Sequence, residues 1–231
     1  MKQIPERLLN IFRRYDTPTI LNSLELLDST FRTSCFTTEQ MICADTTLPP
    51  IVGYARTATL SSSSEVDPNI KRDRSLSYYE YLSPGTTPCI SVIQDVDERP
   101  GFGAFWGEVN SNIHNALGVI GVVTNGSVRD LDVLSAGFQV LAGKIGLAHA
   151  YVRIEETGIP VNIFGMNVQH NDLIHADRHG SVVIPAELAA ELPTAIDLMI
   201  RKEKIILDAS KRKDFNFEIL KEAIQDSTQI R

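Results

Sequence analysis

The sequence predicts an α/β domain framed by helices at both ends, and three observations predict it. An apolar helical stripe opens the chain and an Ala-, Leu-, Glu-, Lys- and Ile-rich stretch closes it, β-branched alternation sets in at Ile51, and Val119-Ile120-Gly121-Val122-Val123 is a continuous apolar run. Such a run is the texture of a strand buried on both faces. The 231 residues suit one domain over 1–231, with a helical N-terminal arm about 1–30, a core about 48–186 and C-terminal helices about 186–226.

Taken in order, residues 5–15 place Leu8, Leu9, Ile11 and Phe12 on one helical stripe. Thr17-Pro18 then reads as an N-cap and N1 proline for a second helix carrying Ile20, Leu21, Leu24 and Leu27. A strand is expected over 51–60, a serine-rich surface loop over 61–73, a short helix over 75–82, a turn at Pro84-Gly85 and a strand over 90–93. Residues 112–117 read as a short helix closed by Gly118, leading into the apolar run. The polar turn Thr124-Asn125-Gly126-Ser127-Val128-Arg129-Asp130 follows at once. A helix over 131–136 capped by Gly137, and strands over 138–140, 150–152, 161–163, 172–175 and 181–184, complete the core. Asp177-Arg178-His179-Gly180 is the turn between the last two, and the chain is helical from Pro185.

With 22 Lys+Arg against 29 Asp+Glu the net charge is −7. Polyanions are bound by basic surfaces, so no direct nucleic-acid binding and no membrane association are expected. Cys35, Cys43 and Cys89 are an odd number without CxxC spacing, which fits a reducing compartment. The first residues meet charges immediately and no apolar stretch reaches a membrane-spanning length, so the expected location is the cytoplasm.

The chemistry centres on Arg129-Asp130. A guanidinium past a buried strand can fork a substrate carboxylate while the adjacent carboxylate holds a hard cation, although such a dipeptide by itself is usually a surface ion pair or a helix cap. Its company is more specific: Gly107-Glu108, then Gly118-Val119-Ile120-Gly121-Val122-Val123, then Asn125-Gly126-Ser127-Val128-Arg129-Asp130. This pattern resembles the RraA-like family, which includes 4-hydroxy-4-methyl-2-oxoglutarate aldolases and regulators of ribonuclease E activity. Gly53-Tyr54-Ala55-Arg56-Thr57-Ala58-Thr59, Ser83-Pro84-Gly85, Ile159-Pro160-Val161-Asn162 and the stretch from Asp177 to Pro185 extend it.

The resemblance implies a β/β/α swivelling-type domain with N- and C-terminal helical extensions, assembled as a homotrimer or dimer of trimers with sites between subunits. It implies a lyase of the pyruvate aldolase type with oxaloacetate decarboxylase side activity, acting on a short 2-keto acid through a metal-stabilised pyruvate enolate. Asp130 would hold Mg²⁺ or Mn²⁺ mostly through waters, and Arg129 would add positive charge beside the enolate oxygen. Glu108, which stands where the family's aldolases commonly carry Asp, would position a proton-exchanging water. Backbone amides around Val109, Asn110 and Ser111 would cradle the substrate carboxylate. Glu203 is the candidate for a carboxylate contributed by a neighbouring subunit. The alternative within the family is a non-catalytic regulator that binds a ribonuclease or another protein.

Other groups offer less specific chemistry. His170, His175 and His179 would ligate zinc only if all three faced one pocket, and on strands and turns they are expected to scatter. His114, on the short helix after Glu108, could approach the substrate, and a capping or solvent-facing imidazole explains it equally well. The glycine-rich 101–107 stretch lacks a Walker lysine, Ser61 to Ser64 have no evident base, and Cys89 reads as buried filler.

Overall fold

The computed structural model describes residues 3–83 and 88–230; the turn anticipated at Pro84-Gly85 lies outside them, as does most of the Ser83-Pro84-Gly85 match. Helices α1 (Glu6–Phe12) and α2 (Thr17–Leu27) come first, then strands β1 (Ile42–Cys43) and β2 (Ile51–Ser61), helix α3 (Pro68–Leu82) and strand β3 (Cys89–Asp95). Next are β4 (Ala104–Trp106), α4 (Glu108–Ala116), β5 (Val119–Thr124), β6 (Ser127–Val128), β7 (Gln139–Ala142), β8 (Lys144–Ile145) and β9 (Arg153–Thr157). The hairpins β10 (Val161–Ile163) with β11 (Met166–Val168) and β12 (Leu173–Asp177) with β13 (Gly180–Ile184) precede α5 (Leu192–Ser210) and α6 (Phe217–Gln229).

The main sheet runs β1-β7-β5-β3-β2-β12-β13, with β9 also paired to β2. Strands β2, β3, β5 and β7 are mutually parallel, whereas β1, β9 and β12 pair antiparallel to their neighbours. Parallel strands need cover on both faces, and β2 is buried along its whole length. Leu9, Phe12, Ile20, Leu24, Leu192 and Ile196 bring α1, α2 and α5 onto Val52, Tyr54, Leu173 and Val182. Tyr78 and Leu82 of α3 join Trp106, Val122 and Phe138 in a second cluster. On a third, Val161, Ile163, Met166 and Val168 of the β10–β11 hairpin cover Ile90, Val92 and Val123. The two ends of the chain therefore fold into one helical layer against the β12–β13 edge.

Several local expectations change, each for a physical reason. The cap of α2 is Asp16, whose carboxylate accepts the Thr19 amide at 2.9 Å; Thr17 instead gives its amide to Asp177 Oδ2 at 2.9 Å. Helix α3 begins at Pro68, capped by Asp67, so the serine-rich loop is shorter than 61–73. Ser61 and Ser62 are buried and their hydroxyls donate to Asp97 at 2.6 and 2.9 Å. Residues 131–136 form only a 3-10 turn over Leu131–Val133, because Ser135 is drawn off by the Ser111 hydroxyl, which accepts its amide at 3.0 Å. The strand expected over 150–152 starts instead at Arg153, since Ala150 turns the chain with φ 46°. Among the described residues no helix is long and apolar enough to cross a membrane.

Beneath α4 lies a buried polar chain. Tyr78 Oη meets Ser91 Oγ at 2.6 Å and His114 Nε2 at 2.9 Å, and His114 Nδ1 meets the Asn110 carbonyl at 2.6 Å. Because a carbonyl only accepts, Nδ1 carries the proton and Nε2 accepts from the tyrosine. Burial holds the His114 imidazole down at about 4, against an ordinary value of 6.5. Between those values the unfolded chain binds a proton that the folded chain refuses. Stability is thus fully present above about pH 6.5 and drains as pH falls toward about 4, by roughly 1 kcal/mol per pH unit. Urea titrations at pH 7 and pH 5 should show this loss, and it should shrink in His114→Gln. Buried His175, whose titration is also pushed down by burial, leaves a residual loss of the same sign.

Candidate active site

A second, small parallel sheet positions the residues singled out above. Strands β4, β6 and β8 lie side by side with Ala104 opposite Ser127, Ser127 opposite Lys144, and Trp106, Val128 and Ile145 in line. The ladder runs one residue further, through Arg129 N to Trp106 O and Gly146 N to Val128 O, both 2.9 Å. Three carboxyl ends therefore open onto one edge: Gly107-Glu108 after β4, Arg129-Asp130 after β6, and Gly146 to His149 after β8. Ligand chemistry favours this end of parallel strands, where the chain leaves the sheet and loops are free to diverge.

Asp130 is held in the left-handed region at φ 55°, which Asp tolerates better than most side chains. Its Oδ2 stands 3.4 Å from the Glu108 amide and 3.4 Å from Arg129 Nε. Gly107 makes that approach possible, since a Cβ there would sit 2.6 Å from Asp130 Oδ2 and 3.2 Å from Arg129 Cγ. The Arg129 guanidinium is braced from the β8 side: Nη1 donates to the Leu147 carbonyl at 3.3 Å and Nη2 to His149 Nε2 at 2.5 Å. A guanidinium only donates, so His149 accepts here and carries its proton on Nδ1. Arg129 and Asp130 are both half-exposed, and a partner can reach them.

Helix α4 starts at Glu108 rather than at Asn112, so the residues expected to form a turn before the helix are its first turn. An acidic residue suits that place, where the helix dipole is positive. Glu108 is exposed at the edge of the site. The Val109 and Asn110 amides have no partner among the described residues and face the N-terminal end of α4, as first-turn amides do. Asn110's side chain is committed elsewhere, accepting from Tyr79 Oη at 2.7 Å and donating to the Phe105 carbonyl at 2.6 Å. Ser111 is buried; its amide donates to the Gly107 carbonyl at 3.0 Å and its hydroxyl to the Glu108 carbonyl at 3.0 Å. Its polar groups are thus committed to α4 and, through the hydroxyl, to the Ser135 amide.

The remaining candidates disperse. His175 is buried between Thr17 Oγ1 (3.0 Å) and the Phe12 carbonyl (3.2 Å), His170 meets Tyr81 Oη at 2.6 Å, and His179 pairs with Asp177 at 3.1 Å. His114 lies buried behind α4 rather than in the site. Cys89 is buried, and burial pushes its thiol titration up. Glu203 is exposed on α5, whose packing partners in the same chain are α1, α2 and α6. His149 and the Leu147 carbonyl had no signature in the sequence, because they arrive through the two-residue strand β8.

Comparison with solved structures places the architecture. An uncharacterized protein from Pseudomonas syringae pv. tomato str. DC3000 is 21% identical with a TM-score of 0.73, over 97% of this chain and 96% of that one. A chain described among novel cellulases from microbes associated with the gut ecosystem is 17% identical with a TM-score of 0.71, over 88% and 89%. Streptomyces coelicolor RraAS2, described as an unusual member of the RNase ES inhibitor RraA protein family, is 18% identical with a TM-score of 0.68, over 92% and 100%. Those descriptions name unlike roles, and at such identities the likeness establishes the fold. The α/β class with helical extensions is the one anticipated. Residues 17–183, well over half of the chain, match the profile of the RraA-like family, Aldolase/RraA, and the chain belongs to that family.

Proposed function

We propose that this chain is a divalent-cation-dependent lyase that cleaves a carbon–carbon bond of a short 2-keto acid to give pyruvate, with oxaloacetate decarboxylation as a companion activity. The observation that carries this reading is the convergence of Glu108, Arg129 and Asp130 at one carboxyl edge, with Asp130 Oδ2 3.4 Å from the Glu108 amide. Glu108 and Arg129 are the proposed catalytic residues. The donor set fits Mg²⁺ or Mn²⁺. Asp130 offers a hard oxygen, and no group of three or more His, Cys, Asp or Glu side chains able to hold a metal occurs among the described residues. A single carboxylate suits a cation that keeps most of its waters, not one that demands a full protein cage. When bound, such a cation supplies Lewis-acid stabilisation of negative charge on the keto oxygen.

The chain's own groups do the rest. The Val109 and Asn110 amides hold the substrate carboxylate at the positive end of α4. Arg129, fixed in direction by Leu147 and His149, keeps its charge beside the keto oxygen without having to reorganise as that oxygen becomes negative. Glu108 takes the proton from the substrate hydroxyl, directly or through one water, as the bond breaks. It then returns the proton to the carbon that becomes the pyruvate methyl group. In oxaloacetate the departing group is CO₂, so only protonation of the enolate carbon is needed, and Glu108 relays that proton from solvent water.

The site is open on one protomer, and an apolar rim surrounds it. Val109, Val133, Ile145 and Leu147 are exposed, the last at 91%. A rim of this kind is suited to burial against another copy, which supports the proposed homotrimer or dimer of trimers with the site at the subunit boundary. Glu203 of a neighbouring copy is the proposed additional carboxylate. The direct test is pyruvate release from oxaloacetate by the purified chain with Mg²⁺. Turnover that disappears with EDTA and returns with added Mg²⁺ is expected, and absence of turnover with either cation would contradict the lyase in favour of the binding role.

A further inference from the structure

The turn between β12 and β13, the start of α2 and the segment 46–50 line a cavity of about 530 Å³, which shares no residue with the Asp130 site. Arg14, Asp16, Asp177, Arg178 and His179 supply its charged and titratable lining, drawn from two separate parts of the chain. That volume is in the range of small-molecule sites.

Its acceptors and donors are unequally engaged. Asp177, 4% exposed, accepts the Thr17 amide on Oδ2 at 2.9 Å and the His179 amide on Oδ1 at 2.8 Å. The same Oδ1 lies 3.1 Å from His179 Nδ1, which orients the ring and leaves Nε2 without a partner among the described residues. Asp16 Oδ1 accepts the Thr19 amide at 2.9 Å. Both carboxylates are thus built into the wall, one capping α2 and the other tying the β12–β13 turn to it. The guanidiniums of Arg14 and Arg178, by contrast, make no side-chain hydrogen bond or ion pair among the described residues. Two forked cations at one cavity, neither paired with the carboxylates that also line it, leave their donors available to a ligand. Acceptor-rich anions satisfy such donors through charge-assisted, bidentate bonds.

We propose that this cavity binds a small molecule through an oxyanion group, a phosphate or a carboxylate, gripped by Arg14 and Arg178 with His179 alongside. Occupancy bridges the N-terminal helices and the sheet hairpin, because Arg14 belongs to the former and Arg178 to the latter. The proposal is independent of the lyase reading.

Calorimetric titration of the full chain with sodium phosphate, and separately with sodium malonate, at fixed ionic strength tests it. Saturable binding is expected for at least one anion. It should weaken by roughly tenfold in each of Arg14→Gln and Arg178→Gln and stay unchanged in Arg72→Gln, which alters an exposed arginine of α3 outside both sites. Both arginines are exposed and unpartnered, so the variants should unfold at the wild-type temperature, which the same samples report by circular dichroism. Tighter phosphate binding assigns a phosphate-bearing ligand, and tighter malonate binding assigns a carboxylate. Failure of both anions to saturate, binding that survives either glutamine substitution undiminished, or an equal loss in Arg72→Gln overturns the proposal.

Discussion

Asp130→Asn is expected to lower Mg²⁺-dependent pyruvate release from oxaloacetate by about two to three orders of magnitude while leaving the fold intact. Asparagine is the informative replacement. It keeps the shape of the side chain and tolerates the left-handed backbone at φ 55°, where alanine would add strain unrelated to chemistry. What it removes is the negative charge and one hard oxygen ligand. The neighbouring Arg129 then lacks its ion pair at 3.4 Å but remains braced by Leu147 and His149. Retained denaturation midpoint with lost turnover is the expected pairing, checked by a coupled pyruvate assay and urea unfolding on the same preparation. A midpoint that falls together with activity would assign Asp130 a structural part instead.

Trp106→Ala is expected to have the largest effect on stability, a loss of about 3–5 kcal/mol. The ring is 1% exposed and lies against His114 (centroids 4.5 Å apart), Phe105 (5.3 Å) and Phe138 (5.8 Å). Removing it would open a cavity directly under the start of α4, between the β4 end that carries Glu108 and the β6 end that carries Arg129. Its indole nitrogen is buried without a hydrogen-bond partner among the described residues, an unfavourable feature that phenylalanine would abolish. Trp106→Phe should therefore cost far less, under about 1.5 kcal/mol. Since Trp106 is the only tryptophan of the chain, far-ultraviolet circular dichroism rather than fluorescence should follow the unfolding.

The parts of this architecture legible in the sequence are those where one physical demand dominates. The apolar run from Val119 to Val123 could only be an interior strand, and β5 lies in the middle of the parallel set, between β3 and β7. Arg129 and Asp130 were readable as the polar exit from that region, though they follow β6, a two-residue strand of a separate sheet. The start of α4 was not readable, because Gly107 to Asn112 is polar and lacks a side-chain cap. The helix begins there through tertiary structure, with the Asp130 carboxylate placed beside the Glu108 amide. The start of α3 did carry a signal, Asp67-Pro68, of the same cap-and-proline kind as the start of α2, but the serines before it suggested a loop. His149 is the opposite case. Nothing in Gly146-Leu147-Ala148-His149 predicts that its ring meets Arg129, since that contact exists only once β8 has paired with β6.

Titrating Mn²⁺ into the protein in the presence of pyruvate, with bound and free ion separated by electron paramagnetic resonance, probes the Asp130 position without requiring turnover. One saturable site per chain is predicted for the wild type, weakened at least about a hundredfold in Asp130→Asn. Equal Mn²⁺ affinity in the two proteins, or no binding by the wild type, would contradict the assignment.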